Sequence, residues 1–323
     1  LFQNDIIRHK VLSELIDGEE IINLLISKSL QSDQCQRIFE FLLYNGPDGG
    51  YYDGQLVLSA TLAPGAKSPT FLILSELSCT RSSRSPSVCR RAYRNLALLI
   101  YMNEVCKERL FRYSIPDHEC SVFEQIIISA CDPDLFVEVR TAALSTLSIW
   151  IDGSEEASRQ ILFFHSSMLQ TLAELILNSE LLQAGISAFV FGLLCLHAKE
   201  NCSCDYTKDI LSILKSKIGE KMLIHRIDRL SYSSNLTPEF VGYPMVDCFR
   251  KRHFQIRQTL SEQNFTNTND PRDKLIAALR LTINDKDETK YLEVLSANEK
   301  LLADNTALVE SLLQSEYERE NLL

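Results

Sequence analysis

No uninterrupted apolar run in this sequence reaches the ~20 residues that a membrane-spanning helix needs. The longest, Ala188 to Leu196, has the length of a core helix. No signal-peptide pattern opens the chain. The motifs G-x-x-x-x-G-K-[ST], G-x-G-x-x-G and G-x-S-x-G are also missing, so neither a phosphate-cradling loop nor a nucleophile elbow is predicted. His9, His165, His225 and His253 sit in no catalytic pattern. His118, between Asp117 and Glu119, reads as a polar helix start. His197, Cys202 and Cys204 lie close together, but no second cysteine pair follows, and zinc needs three or four ligands at workable spacing. No catalytic residue, cofactor or metal is therefore expected. The chain has one tryptophan, Trp150, with Ser154 four residues on. That excludes the Trp-and-Asn ladders of nuclear-import adaptors.

Positive charge is also in deficit. There are 33 Lys and Arg against 43 Asp and Glu, a formal net charge of -10. An acidic protein repels phosphate backbones, so general nucleic-acid binding is not expected. Residues 285–323 concentrate the imbalance, with ten acidic residues against Lys286, Lys290, Lys300 and Arg319. The ten cysteines sit mostly inside apolar runs (Cys35, Cys106, Cys131 and Cys195 among them), as reduced core cysteines do. A cytoplasmic compartment is expected. An apolar fraction of 45% fits a folded protein. A chain of 323 residues exceeds what one compact core usually holds, so two domains or an elongated array are favoured. It begins with Leu and stops inside a periodic helix, as a piece of a longer protein would.

Helical periodicity dominates what is present. Amphipathic stretches run over 19–30 and 35–43. Residues 45–53, rich in Gly and Tyr, read as a loop, and 81–87 as a basic, Ser-rich one. Residues 55–62 fit a strand or a helix equally. Helices are then predicted over 88–102, 104–113, 120–131, 135–151, 155–165, 167–178, 180–198, 206–218 and 220–230. Punctuation supports the breaks: Pro116-Asp117, Asp134 as an N-cap, Asp152-Gly153 as a stop and Gly219 as a C-cap. Units 88–131, 134–178 and 180–230 approach the ~40–47-residue period of armadillo and HEAT repeats. The expected fold is all-α: an armadillo/HEAT-like α-solenoid followed by a coiled-coil helix. Residues 231–245 read as irregular and 246–260 as a last, basic helix, an outer face or a lipid-docking one. Residues 1–260 form the head, 261–284 a linker with a short helix, and 285–323 the coil.

The coil rests on heptads. With a at Tyr291, that position repeats as Asn298, Asn305, Leu312 and Arg319, and d as Val294, Leu301, Leu308, Ser315 and Leu322. Asn at a with Leu at d favours a parallel two-stranded coil. Asn298, Leu301, Asn305, Leu308, Leu312 and Leu322 are the predicted dimerisation residues. The polar a positions make this the start of a homodimer and not its main source of stability.

Residues 180–231 carry a resemblance. Leu182-Gln183-Ala184-Gly185-Ile186 leads to Phe191-Gly192-Leu193-Leu194. Tyr206-Thr207-Lys208, Lys217-Ile218-Gly219-Glu220 and Ile227-Asp228-Arg229-Leu230 follow. With 39–44, 89–110, 139–150 and 247–258 in the same order, this resembles the globular head of the general vesicular transport factor family, the long coiled-coil tethers of the early Golgi. The resemblance covers about 35–260 and is weakest over 51–85. It implies a non-enzymatic tethering factor in ER-to-Golgi and intra-Golgi transport, cytoplasmic and peripheral on Golgi and vesicle membranes. It also implies Rab-type small GTPase, golgin and SNARE protein partners. The family's acidic tail, which contacts golgins, is not in this sequence. Tyr206, Lys208, Lys217, Glu220, Arg226 and Arg229 are the assigned partner-binding residues. The residues leave open a different armadillo/HEAT scaffold of signalling or cytoskeletal assembly, and an enzyme bearing a solenoid domain.

Overall fold

The computed structural model describes residues 19–43, 69–77, 85–114, 120–200, 210 and 212–263. The chain divides into two compact units, Leu1–Ser261 and Glu262–Leu323. Apart from Glu262 and Gln263, the described residues belong to the first. Every regular element among them is helical, with no strand. The predicted loop at 45–53, the ambiguous stretch at 55–62, Pro116-Asp117, and the six dimerisation residues from Asn298 to Leu322 lie outside the described residues.

The helices are α1 (Glu19–Gln31), α2 (Asp33–Leu43), α3 (Pro69–Ser75), α4 (Pro86–Ile100), α5 (Glu104–Phe111), α6 (Val122–Cys131), α7 (Val137–Ile151), α8 (Glu155–Phe164), α9 (Ser166–Asn178), α10 (Leu181–Glu200), α11 (Glu220–Ser231), α12 (Pro238–Val241) and α13 (Tyr243–Gln263). A π-helical turn, Leu214–Ile218, precedes α11. Helices α1 and α2 pair, and α4 packs on both and on α3. From there α4 lies against α7, α7 against α10, and α10 against α11. The shorter α6 packs on α7 and α9, and α9 packs on the π turn.

Burial is nearly continuous along the central helices, with Ala142 to Ile151 of α7 all buried. Trp150 of α7 is fully buried, with Phe123 of α6 at 5.3 Å and Phe111 of α5 at 6.5 Å between ring centroids. Helix α10 is a core helix, as its apolar run suggests. By length and composition the stretch Leu181–Lys199 is apolar enough to cross a membrane, but 83% of its apolar window is buried inside the protein. Its apolar residues therefore go into packing against α7, α9 and α11. The two glycines of α10 serve the same packing. A Cβ on Gly192 would sit 2.4 Å from Ile256 Cγ2 of α13, and one on Gly185 would sit 2.8 Å from Leu230 Cβ of α11. Glycine costs a helix interior about 0.5–1 kcal/mol, and here it lets two neighbours approach.

Several boundaries moved. Helix α7 starts at Val137, with Phe136 at its N-cap and no side-chain cap bond. Asp134 is not the cap: its backbone N–H donates to Asp132 Oδ1 in the preceding turn. Residues 231–245 are not wholly irregular. Pro238 opens α12 and Pro244 is the second residue of α13. In a first helical turn the missing proline N–H has no intrahelical partner to lose, so these prolines start helices and do not prevent them. The stop at Asp152-Gly153 and the break at Gly219 are present, with φ of 79° and 76° at the two glycines. Helix α6 begins with a capping box: Glu124 N–H donates to Ser121 Oγ at 3.2 Å and Ser121 N–H to Glu124 Oε2 at 2.7 Å. The latter bond holds the Glu124 carboxyl below the ordinary carboxylate range.

Gly192→Ala should destabilise the protein by about 1–3 kcal/mol, because overpacking outweighs the propensity gain. Adding Ile256→Ala should make the double variant more stable than the two single losses added together. Urea unfolding measures both, and strict additivity would contradict the close-approach account. Glu124→Gln should cost about 0.5–1 kcal/mol at pH 7. A depressed folded pKa stabilises above the unfolded value, and that contribution is lost as pH falls through the folded one. The difference between wild type and variant should therefore vanish in acid. A pH-independent difference would sink the assignment.

Candidate partner-binding surfaces

The four described residues of the predicted partner surface do not form one patch. Lys217, exposed on the π turn, reaches Gln170 Oε1 of α9 at 3.4 Å. Arg226 donates to the Leu177 carbonyl of α9 at 3.3 Å. Both therefore hold the seam between α9 and the α11 region. Glu220 is half-buried and Arg229 exposed. Leu223, Ile227 and Leu230 define the buried stripe of α11. At 100° per residue, Arg229 points away from that stripe while Glu220 and Arg226 border it on opposite sides. Tyr206 and Lys208 lie outside the described residues.

Helix α13 was legible as basic and amphipathic. Its buried stripe is Met245, Val246, Cys248, Phe249, Ile256 and Leu260. Phe249 meets Phe189 of α10 at 5.1 Å between centroids. Three of its four arginines and lysines from Arg250 to Arg257 are engaged within the protein. Arg252 Nε donates to Asp152 Oδ1 at 2.6 Å. Lys251 Nζ donates to the Tyr101 hydroxyl at 2.9 Å, at 5.2 Å from that ring's centroid. Arg257 lies 3.9 Å from Asp228. So α13 touches the ends of α4 and α7, then α10 and α11, and its charges serve that seating first.

Asp152 is the hub of this contact. Its backbone carbonyl accepts from Lys107 Nζ at 2.6 Å, and Oδ2 accepts from Cys248 Sγ at 3.6 Å. Burial, with the Asp152 charge beside it, pushes the Cys248 thiol well above its ordinary value. It is held as a neutral donor and not as a nucleophilic thiolate. A cavity of about 230 Å³ opens between Asp152, His197 and Arg252. His197 Nε2 is bonded to the Ile151 carbonyl at 2.9 Å. Among the described residues no three His, Cys, Asp or Glu are grouped to hold a metal, and Cys202 and Cys204 fall outside them. The seven described cysteines are free. Burial pushes Cys106 and Cys195 up to about 12.

The feature that the sequence reading missed is at Arg94. This residue of α4 and Glu40 of α2 form an ion pair at 2.6 Å with side chains only 7% and 2% exposed. Arg94 also donates to the carbonyls of Glu239 at 3.0 Å and Pro238 at 2.9 Å. Beside it, Gln36 Nε2 donates to Asn95 Oδ1 at 2.7 Å and Asn95 Nδ2 to Ser29 Oγ at 2.9 Å. This polar layer joins α1, α2, α4 and α12. Next to it a second cavity, of about 160 Å³, lies between the N-terminal halves of α4, α7 and α10 and helix α12. Nothing in the sequence sets these polar residues apart, because Gln36 and Glu40 meet Asn95 and Arg94 from 59 and 54 positions away.

Known proteins add nothing to this picture: no protein-family model matches the chain, and no curated protein matches it significantly.

Arg94→Met leaves Glu40 buried without its counter-ion and two carbonyls without their donor. It should cost about 3–5 kcal/mol. Converting Glu40 to Met as well should recover most of that loss. Chemical denaturation of the single and double variants is the check, and a double variant as unstable as Arg94→Met would refute the pairing account.

Proposed function

We propose that the chain is a non-enzymatic vesicle-tethering factor, acting in ER-to-Golgi and intra-Golgi transport. In this reading its head is an armadillo/HEAT-like α-solenoid, and residues 285–323 begin a parallel coiled coil that makes it a homodimer. The observation that carries it is the recurrence of a long helix after two shorter ones. Helices α4, α7 and α10 lie successively side by side, with α5–α6 and α8–α9 between them. Such an arrangement offers extended surface. The ordered resemblance to the general vesicular transport factor family supplies the step from scaffold to tether. In that role the head engages a membrane-bound partner, a Rab-type small GTPase, while the coil spans the gap before SNARE-driven fusion. Golgins and SNARE proteins are the further partners the family implies. Arg229, exposed on α11, is the described member of the predicted set best placed to meet one.

Immobilised Rab-type GTPases loaded with GTP analogue or GDP should capture the chain in a nucleotide-dependent way, and Arg229→Glu should reduce capture several-fold. Capture by neither form would reject the tethering reading. Removing Asp285–Leu323 should convert a dimer to a monomer in light scattering, and a full chain that is already monomeric would reject the coil.

A further inference from the structure

The four methionines of the chain differ sharply in access. Met102 is 61% exposed and Met222 38%, whereas Met168 and Met245 are 1% and 0%. Met102 lies in the turn between α4 and α5 at φ 52°, the one non-glycine residue with positive φ among the described residues. Residues that carry a side chain visit this region sparingly. Its neighbours hold it there. Tyr101, 3% exposed, donates its N–H to the Ala97 carbonyl. Asn103 donates its N–H to the Ile100 carbonyl at 3.2 Å, and its side chain caps α5. Pinned from both sides, the turn presents the Met102 side chain to water.

The exposed sulfur has a charged neighbour. Met102 Sδ accepts from Lys251 Nζ of α13 at 3.3 Å, and the same ammonium donates to the Tyr101 hydroxyl at 2.9 Å. A thioether is a weak acceptor, so the ammonium is poorly matched on the sulfur side. Oxygen added to the sulfur changes that match. The sulfide lone pair attacks a hydroperoxide, and an S–O bond forms as the O–O bond breaks. Sulfur gives up an electron pair to the peroxide, and the hydroperoxide proton passes to the departing oxygen, which leaves as water or an alcohol. The sulfoxide oxygen carries partial negative charge and is a much better partner for an ammonium. We propose that Met102 is a reversible oxidation site for hydroperoxides, and that its sulfoxide oxygen takes a hydrogen bond from Lys251 and tightens α13 against the turn between α4 and α5. Methionine sulfoxide reductases restore the thioether. The thiols of the helices on either side, Cys106 of α5 and Cys248 of α13, are 1% and 0% exposed and do not compete for the oxidant. Lys251 stands 149 residues from Met102 in the chain, so one oxygen atom ties a central turn to the last described helix. The site does not depend on the tethering reading.

The test treats the full chain with hydrogen peroxide, removes the excess with catalase, reduces the thiols with dithiothreitol and maps sulfoxides by peptide mass spectrometry. Met102 should gain oxygen first, with Met168 and Met245 about ten-fold slower because burial shields them. Amide hydrogen exchange over α13, which reports its local opening, should slow several-fold on oxidation. It should return to its starting rate after treatment with the reductases for both sulfoxide epimers. The slowing should vanish in Met102→Leu, which has no sulfur to oxidise, and in Lys251→Leu, which still gains oxygen at Met102 but offers no donor. Oxidation of Met102 no faster than that of Met168 and Met245, exchange over α13 unchanged or faster after oxidation, or the same slowing in either variant would each overturn the proposal.

Discussion

A guanidinium buried at the meeting point of three parts of the chain is the constraint on which this fold turns. Arg94 cannot be deprotonated, so each of its N–H groups must find an acceptor once water is excluded. It finds them on Glu40 of the N-terminal hairpin and on two carbonyls of α12. A buried ion pair is weak evidence for stability, because desolvation offsets the attraction. Burial in fact pushes the Glu40 carboxyl upward against the pull of Arg94. What the arrangement supplies is specificity of placement. Helix α12 can sit on α4 in one register only, since only one register brings the Pro238 and Glu239 carbonyls to the guanidinium.

That placement sets the course of α13. The chain turns at Gly242, φ 86°, and α13 then runs over α7 and α10. The close approach of α13 to α10 depends on the side chain missing from Gly192, as that of α11 depends on Gly185. Charge and shape therefore act at different points along one path, with Arg94 at the entry, Asp152 and Arg252 midway, and the glycine contact with Ile256 near the end. The basic helix, read from sequence as an outer face or a lipid-docking one, engages Lys251, Arg252 and Arg257 within its own protein.

Much of the helical order was legible because local signals agree with the fold. The α4 stretch is strongly amphipathic, the α7 and α10 stretches are apolar on nearly every side as buried helices are, and Gly153 and Gly219 mark breaks that their positive φ explains. The reading went wrong where local chemistry had two meanings. Asp134 looks like a cap but sits in a turn. Pro238 and Pro244 look like breakers but stand where a helix tolerates them. The polar layer around Arg94 was hidden for another reason. Arg91, Arg94 and Asn95 are unremarkable in an amphipathic pattern, and only packing shows that they face inward. The same holds for Gln183, which reads as one polar residue in an apolar helix and turns out to line a cavity with residues more than forty positions away.

The separation between Arg94 and its α12 acceptors, 144 and 145 residues, has a consequence for synthesis. Ribosomes add about 5–20 residues per second, so roughly 7–30 s pass between the emergence of the guanidinium and that of the carbonyls. Through that interval Arg94 has Glu40, already synthesised, but not the two carbonyls that complete its site. The Arg94 site is thus completed late, and a ribosome-bound chain that stops before Pro238 leaves uncovered the part of α4 that α12 covers in the finished molecule.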